Sequence, residues 1–538
     1  MLPPNLTTPR QVTLYYDSLY DHLTSPSGGY HPFLYPWAGL GAFLVLAYLL
    51  IDHRQSRFLT RLRYPIAAFL VVFQAWCVLT NKARHPAAAF GVGLLSAWGV
   101  GWVSTLVVVN DCQREFWRVE RREVGGGRVR ADGDVNGMAT GKDGTEVNGS
   151  ISADAGDEGG ESTTTTTTTH ELYCQHYPSA PFTARLDWVA DLFCSFRGVG
   201  WSFQSSTVPP LPSPPSLSIP HSISHTPHPS TLTTSRTGIR RLRNRSDLLR
   251  PTIRNLIIGY LALDAIKVVM HHDPYFWGYT TAPAPTYLPL SIQHSATLTR
   301  SYRLLISLAG IYTALWEIFR LGPAFFCLLL GPKYLGIRGE AWMNPADMYG
   351  AFSNVLNDGL AGWWGGWWHQ VFRVAFEQHS KFVLRHLNIE AKSQKGRLVG
   401  LCVAFFMSGC LHACGSYTQL GETRPLMGPM RFFLLQGVGI VLQTAMVGQL
   451  KKAGVVERVP RVARQVANFV FVHVWLYYTA PLLVDDFAKG GVWLFEPVAL
   501  SPLRAMGLGA KDDRFFCWWD GIIWWRSGRT WWESGIAI

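Results

Sequence analysis

The apolar residues of this chain form long uninterrupted blocks, not the alternating or 3.6-residue patterns of water-facing elements. Six blocks are nearly free of charge and have about the length that crosses a bilayer as a helix. They are residues 37–51, 65–79, 90–109, 398–413, 430–447 and 466–484. Two further blocks, 252–270 and 304–330, contain charged residues, which inside a span face protein or water. The pattern predicts an all-α, polytopic membrane protein with about eight transmembrane helices.

The basic residues follow the blocks and give the predicted helices an orientation. The formal net charge is +12. Clusters of Lys and Arg follow the blocks 37–51 and 90–109 and precede the block 252–270, while residues 271–299 contain none. Cytosolic loops of membrane proteins collect such residues. The charge therefore indicates topology, with the N terminus on the lumenal or outer side, and gives no reason to expect nucleic acid as a partner.

Composition divides the chain into five parts. Residues 1–112 hold the first membrane helices, 113–176 and 204–249 are predicted disordered cytosolic inserts rich in Gly, Thr, Pro and Ser, and 250–538 form the main membrane domain. Between the inserts lies an island, 177–203, whose aromatic residues and single arginine are unusual for a spacer. We expect the island to dock on the membrane domain. The nine cysteines show no disulfide or zinc spacing.

His412 is the only basic residue in the block 398–413. Ionisable residues inside membranes are costly and mark functional sites, but a histidine that only hydrogen-bonds a neighbouring helix fits the sequence equally well. The spacing Cys410, His412, Cys414 does not favour a metal, because two residues advance about 200° around a helix and His412 faces away from both thiols. No metal site is predicted here.

A second unusual segment is 354–376, where four tryptophans and paired glycines precede His369, Gln370 and Arg373. If the chain is helical from Trp367 onward, His369 and Arg373 lie on one face. The alternative is an aromatic belt at the membrane interface with an arginine reaching towards water. Arg373, Glu377 and Lys381 follow at intervals of four residues, a spacing that indicates a solvent-exposed row of charges on one helix face.

Other ionisable residues give weaker signals. The sequence His271, His272, Asp273 opens a lumenal loop and is a weak metal candidate, and Asp264 with Lys267 suggests an ion pair within a span. None of these defines a reaction.

Three motifs together resemble the wax-synthase-like branch of the membrane-bound O-acyltransferases, which includes fungal terpenoid acetyltransferases. The motifs are FRGVGWSF at 196–203, WWGGWWHQVFR at 363–373 and MSGCLHA at 407–413. Their order and spacing are similar to those of the family over roughly 188–484, excluding the Pro/Ser insert. One departure is that Gly366 and Trp367 stand where relatives usually have arginines.

The resemblance implies a set of site residues. His412 is expected to be the catalytic base and His369, at a position where some relatives have Asn, a second catalytic group. The residues expected at the substrate are Trp368, Gln370, Arg373, Arg197 and Ser408. The basic residues expected to attract coenzyme A phosphates are Arg338, Arg373, Lys381 and Arg385.

The resemblance also implies a reaction. We expect transfer of an acyl group, acetyl being favoured, from acyl-CoA to a hydroxyl of a lipophilic acceptor such as a terpenoid, with no bound cofactor and with residence in the endoplasmic reticulum membrane. Alternatives are a long-chain wax-ester synthase, a non-catalytic membrane scaffold and a transporter whose pathway is lined by Asp264, Lys267 and His412. The transporter predicts paired repeats, which the sequence lacks. The sequence indicates no oligomeric state.

Overall fold

A computed structural model describes residues 2–124, 169–210, 233–242, 244–518 and 521–538. The chain is mainly helical in these ranges. The α-helices are α1 Pro9–Leu23, α2 Leu40–Leu50, α3 Arg57–Thr80, α4 Pro86–Ser104, α5 Cys112–Glu115, α6 Phe182–Cys194, α7 Arg245–His271, α8 Leu290–Gln293, α9 Ala296–Pro323, α10 Gly331–Leu335, α11 Ser353–Gly362, α12 Arg373–His386, α13 Gln394–Thr418, α14 Arg431–Lys452, α15 Val455–Arg458, α16 Arg461–Thr479, α17 Pro481–Gly490 and α18 Pro502–Ala505.

Short strands join distant parts of the chain. They are β1 His31–Pro32, β2 Leu34–Tyr35, β3 Asn81–Lys82, β4 Trp117–Val124, β5 Thr169–His176, β6 Trp524–Arg526 and β7 Gly535–Ala537. β1 pairs with β3 in parallel. β7 lies between β2 and β6 and is antiparallel to both, and β4 pairs with β5 in antiparallel orientation. The strands are small additions to a helical membrane fold, and the predicted all-α class is confirmed.

The number of spans differs from the expected eight. Among the described residues, five helices are long and apolar enough to cross a membrane, or six if α16 and α17, which meet at 42°, form one bent span. The block 37–51 forms only a short apolar helix, and α2, with 11 residues, rises about 16 Å, about half the hydrocarbon thickness. The block 252–270 lies in α7, which does not pass the same test of composition. Eight spans are therefore not confirmed.

α4 and α13 pack closely because small residues let their backbones touch. A Cβ added to Gly93 of α4 would lie 1.9 Å from the carbonyl oxygen of Cys414. The Thr418 hydroxyl donates to the Ala89 carbonyl oxygen at 2.6 Å. At the end of α13 the buried Lys82 ammonium donates to the Gln419 carbonyl oxygen at 3.2 Å, a favourable place for a cation at a helix C-terminus. α13 is thus fixed along its last two turns.

The predicted boundaries of the inserts differ from the structure at their ends. Residues 113–124 and 169–176 form α5, β4 and β5, and 233–242 include an isolated bridge between Thr234 and Arg240. β4 begins with alternating apolar and polar residues, which places Val119 in the core. That alternation was hidden by the low-complexity sequence beside it. The remaining parts of the predicted disorder, 125–168 and 211–232, lie outside the described residues.

The island 177–203 packs between the β4–β5 strand pair, called the hairpin below, and the membrane helices. Trp188 and Trp201 are fully buried in one cluster with Trp98 and Trp102 of α4. The buried Arg118 guanidinium of β4 donates to both Asp187 and Asp191 of α6, at 3.0 Å for Asp191. These contacts join the hairpin, the island and α4.

Candidate active site

A cavity of about 590 Å³ lies between α12, α13, α14 and the Trp-rich segment before α12. It brings together six of the seven residues expected at the site. The six are His412, His369, Ser408, Trp368, Gln370 and Arg373. One stripe of α13 forms a wall, because residues spaced three or four apart share a helix face. That stripe contains Arg397, Gly400, Leu401, Ala404, Phe405, Ser408 and His412.

His412 is held in one tautomer by its own helix. Its Nδ1 lies 2.8 Å from the Ser408 carbonyl oxygen. Because a carbonyl oxygen can only accept, Nδ1 carries the proton, and Nε2 of the neutral ring keeps its lone pair. The imidazole lies against Phe433, with ring centroids 4.2 Å apart. The ring therefore lines the cavity while its Nδ1 is bonded to its own helix.

His369 lies outside any helix, contrary to the helical interpretation of the segment from Trp367. Residues 363–367 form a π-helical turn, Trp368 is extended (φ −60°, ψ 154°), and α12 starts only at Arg373. The turn follows Gly359, whose φ of +59° suits glycine and breaks α11. This irregular backbone directs the His369 ring into the cavity, where its Nδ1 is buried and has no partner among the described residues. An unpaired buried nitrogen is costly unless a ligand satisfies it.

The tryptophans pack inward and do not form an interfacial belt. Trp363 is buried against α16, and Trp364 contacts Phe405, Phe432 and Phe433 with centroids about 6 Å apart. Trp368 lines the cavity. Aromatic packing thus sets the position of the turn that carries His369.

Gln370 and Arg373 hold this turn together. The buried Gln370 amide donates to the Trp364 carbonyl oxygen at 2.9 Å and accepts from Arg373 at 2.8 Å. Arg373 also donates to the Gly365 carbonyl oxygen at 2.9 Å and pairs with Glu377 at 2.6 Å. Both side chains border the cavity. Their bonds to protein support the turn, and a contact of either with substrate stays a prediction.

Arg197 is the one expected site residue outside the cavity. Its guanidinium donates to the carbonyl oxygens of Pro345 and Asp347, both at 3.0 Å. The Asp347 carboxylate in turn pairs with Arg320 at 2.9 Å. Arg197 therefore ties the island to the loop before α11 and does not touch the space around His412.

The cavity opens between α12 and α13 at a basic mouth, defined by Lys381 and Arg397. Both side chains are exposed, and no ion-pair partner appears for either in the part of the chain that the structure describes. Arg338 is committed elsewhere, to Asp191 at 2.8 Å, and Arg385 does not line the cavity. Of the basic residues suggested for phosphate, only Lys381 offers an uncommitted charge here; Arg397 was not anticipated.

The weaker metal and ion-pair candidates each contact other residues and not one another. His271 lies 2.9 Å from Asp513, and Asp273 pairs with Arg303 at 2.9 Å, so these two do not converge. Asp264 bonds Ser501, and Lys267 bonds the Trp493 carbonyl oxygen, so they do not pair with each other. Neither lines the cavity with His412. Within the described ranges no group of three His, Cys, Asp or Glu side chains could hold a metal ion.

Sequence reasoning missed several cavity residues. Phe433 and Ile440 lie in the block 430–447, and Phe405 lies in the block 398–413. Nothing in an unbroken apolar run distinguishes a cavity wall from a lipid-facing side chain. Arg397 had a detectable signal, because it begins the stripe of α13 that ends at His412.

The sequence model of the membrane bound O-acyl transferase family matches residues 345–435, which include the Trp-rich turn, α12, all of α13 and the start of α14. Acetyltransferase eriL of Hericium erinaceus is 30% identical over 190 residues, 34% of this chain and 46% of its own length. O-Mevalon transferase yanI of Aspergillus niger is 24% identical over 274 residues, 49% of this chain and 53% of its own. Acetyltransferase aurG of Calcarisporium arbuscula is 25% identical over 159 residues, 29% of this chain and 38% of its own.

These similarities have a limited extent. The chain spans about half the length, or less, of the curated relatives it matches. No solved structure matches the protein. The family match contains both histidines of the cavity, and the resemblance inferred from the three motifs is confirmed. Residues 345–435 of this multi-pass membrane protein thus match the membrane bound O-acyl transferase family, and the chain is similar to fungal acetyltransferases.

Proposed function

We propose that the protein transfers an acyl group, acetyl in preference, from acyl-CoA to a hydroxyl of a lipophilic acceptor such as a terpenoid. The observation that carries this proposal is the fixed tautomer of His412, whose free Nε2 shares one cavity with the unpaired His369 ring. The names of the fungal relatives support the acetyl donor. The endoplasmic reticulum membrane is the proposed location.

His412 acts as the general base. Its Nε2 accepts the proton of the acceptor hydroxyl while the hydroxyl oxygen bonds to the thioester carbonyl carbon. Collapse of the tetrahedral intermediate breaks the carbon–sulfur bond and releases the ester. The coenzyme A sulfur leaves with the proton that His412 had accepted, so the base is regenerated without an acyl-enzyme.

His369 stabilises the intermediate. A ring N–H of His369 donates to the oxyanion that forms from the thioester carbonyl, and none of the described residues offers its buried Nδ1 an acceptor that competes for that bond. The apolar walls of the cavity, among them Trp368, Phe372 and Phe405, exclude water that would hydrolyse the thioester.

The donor enters through the basic mouth. Lys381 and Arg397 attract the phosphates of coenzyme A, and the pantetheine arm runs inward along α13. From Gly396, next to Arg397 of the basic mouth, to His412, α13 rises about 24 Å. The extended pantetheine arm of coenzyme A suits that depth.

The test is an ester assay on membranes that carry the wild type, His412→Ala or His473→Ala. Acetyl-CoA and palmitoyl-CoA are offered separately with terpenoid and fatty alcohols. His473 is the matched control, because its Nδ1 also donates to the carbonyl of the residue four before it, Phe469, at 2.8 Å, but it lies outside the cavity. We expect His412→Ala to lose about 10²- to 10⁴-fold in rate and His473→Ala to keep wild-type activity.

Two results would contradict the proposal. Equal ester formation by the wild type and His412→Ala would remove His412 as the base. Absence of ester with every donor and alcohol, together with absence of acetyl-CoA binding, would favour a membrane scaffold.

A further inference from the structure

The inner end of the cavity is formed by His412 and Phe433. These are the last cavity-lining residues along α13 and the first along α14, and their rings lie 4.2 Å apart. Phe433 is buried and contacts Phe432, with ring centroids 4.9 Å apart, and Trp364, with ring centroids 5.7 Å apart. The ring therefore forms a rigid wall beside the base.

Close packing borders α13 beyond His412, next to a separate surface pocket at Ala413, Cys414 and Tyr417. The ring of Phe90 occupies the notch at Gly415, where an added Cβ would lie 2.6 Å from it, and stacks edge-on against Phe487 at 5.0 Å. One turn after Phe90 on α4, Gly93 contacts the backbone of α13. The next polar residue of α13, Ser416, has no exposed surface.

The gap between α13 and α14 is closed in the same way. A Cβ on Gly409 would lie 2.5 Å from the Met430 sulfur, so the π-helical turn Leu426–Met430 rests directly on α13. Close-packed interiors yield little when a ligand grows by one methylene. The lining of the cavity thus ends at the level of His412, beside these close contacts.

This end faces the acyl group of a bound donor. The inference rests on the proposed function: with the phosphates at the basic mouth, the sulfur approaches His412 from the cytosolic side, and the acyl carbons continue away from the sulfur towards Phe433. We propose that Phe433, backed by Phe90 and Met430, is the residue that limits the donor to short acyl groups. A long-chain thioester has no space beyond the reacting carbon.

Competition binding tests the limit without knowledge of the acceptor. The purified full-length protein binds radiolabelled acetyl-CoA, which is displaced by unlabelled acetyl-, butanoyl- or hexanoyl-CoA. In the wild type we expect hexanoyl-CoA to compete at least about tenfold more weakly than acetyl-CoA, since a pocket that lacks room for a methylene discriminates by roughly that factor. The hydrophobic effect alone would make hexanoyl-CoA bind more tightly than acetyl-CoA, because its longer acyl chain leaves water on binding. Weaker competition by hexanoyl-CoA would therefore indicate a steric limit.

Three variants locate the limit. Phe433→Ala is expected to bring hexanoyl-CoA to within about threefold of acetyl-CoA, and Phe433→Leu, which disturbs packing less, to give an intermediate ratio. Phe471→Ala is the control, because Phe471 packs on Trp475 of its own helix and does not line the cavity, and its ratio should stay that of the wild type.

The outcomes separate the two proposals. Equal competition by acetyl- and hexanoyl-CoA in the wild type would overturn the length limit while leaving acyl transfer intact. A wild-type ratio that persists in Phe433→Leu would assign the limit to another residue. Failure of the wild type to bind acetyl-CoA would reject the proposed function and the limit with it.

Discussion

Replacement of His369 by Phe should separate catalysis from stability. The ring of His369 packs among Trp368, Phe372 and Tyr349, with centroids 5.5 to 6.5 Å away, and its Nδ1 is buried without a partner. Phenylalanine keeps the aromatic contacts and removes a buried polar atom, so the thermal stability should stay equal or rise. The N–H that we assign to the oxyanion is lost.

The expected loss follows from one oxyanion donor. Removal of such a donor costs about 10²- to 10³-fold in kcat, or about 2.7–4 kcal/mol, and the buried site gives no replacement donor. His369→Asn, which restores an N–H and matches the residue of some relatives, should recover most of that rate. The KM for acetyl-CoA should change little in either variant, because the bond strengthens in the transition state.

The assay measures kcat and KM at saturating alcohol alongside the melting temperature in detergent. A His369→Phe enzyme with wild-type kcat would refute the role of the ring N–H. A variant that loses kcat and melting temperature together would show that His369 supports the fold of the turn and not the reaction.

Further predictions concern the surroundings of the site. Replacing both residues of the basic mouth by Ala should raise the KM for acetyl-CoA several-fold with little change in kcat, and the difference should shrink at high salt. Gln370→Leu leaves the Trp364 carbonyl unpaired and should cost about 1–3 kcal/mol of unfolding free energy in a denaturation assay. Burial raises the pKa of Asp513, but the hydrogen bond with His271 and the charge of Arg504 outweigh it and hold that pKa below its ordinary value. The stability it contributes is therefore complete above about pH 4 and is lost as the pH falls further; melting temperatures of Asp513→Asn should lack this acid-dependent part.

The sequence predicts the membrane helices and the ends of the site better than its walls. Apolar blocks identify α13 and α14 because burial in lipid needs a continuous run. The same uniformity conceals their function: whether Phe433 faces lipid or cavity depends on how α14 packs against other helices. Short-range signals cannot report such contacts.

Polar residues of the motifs also make contacts within the protein that the sequence does not reveal. Arg197, Gln370 and Arg373 belong to segments that resemble the family, and all three bind backbone carbonyl oxygens within the protein. A sequence shows that a polar residue is present but not whether the fold already satisfies it. His369 is the converse case, since only the structure shows that its nitrogen lacks a partner.

The glycine and tryptophan that replace the relatives' arginines lie within the turn but do not line the cavity. A Cβ on Gly366 would lie 2.6 Å from that of Asn354, so a longer side chain has no place there, and the Trp367 ring stacks on Tyr312 at 5.8 Å. Neither residue lines the cavity with His412. The turn instead receives its cation from Arg373, which donates to the Gly365 carbonyl oxygen. This departure therefore changes how the turn is supported, while the two histidines keep their access to the cavity.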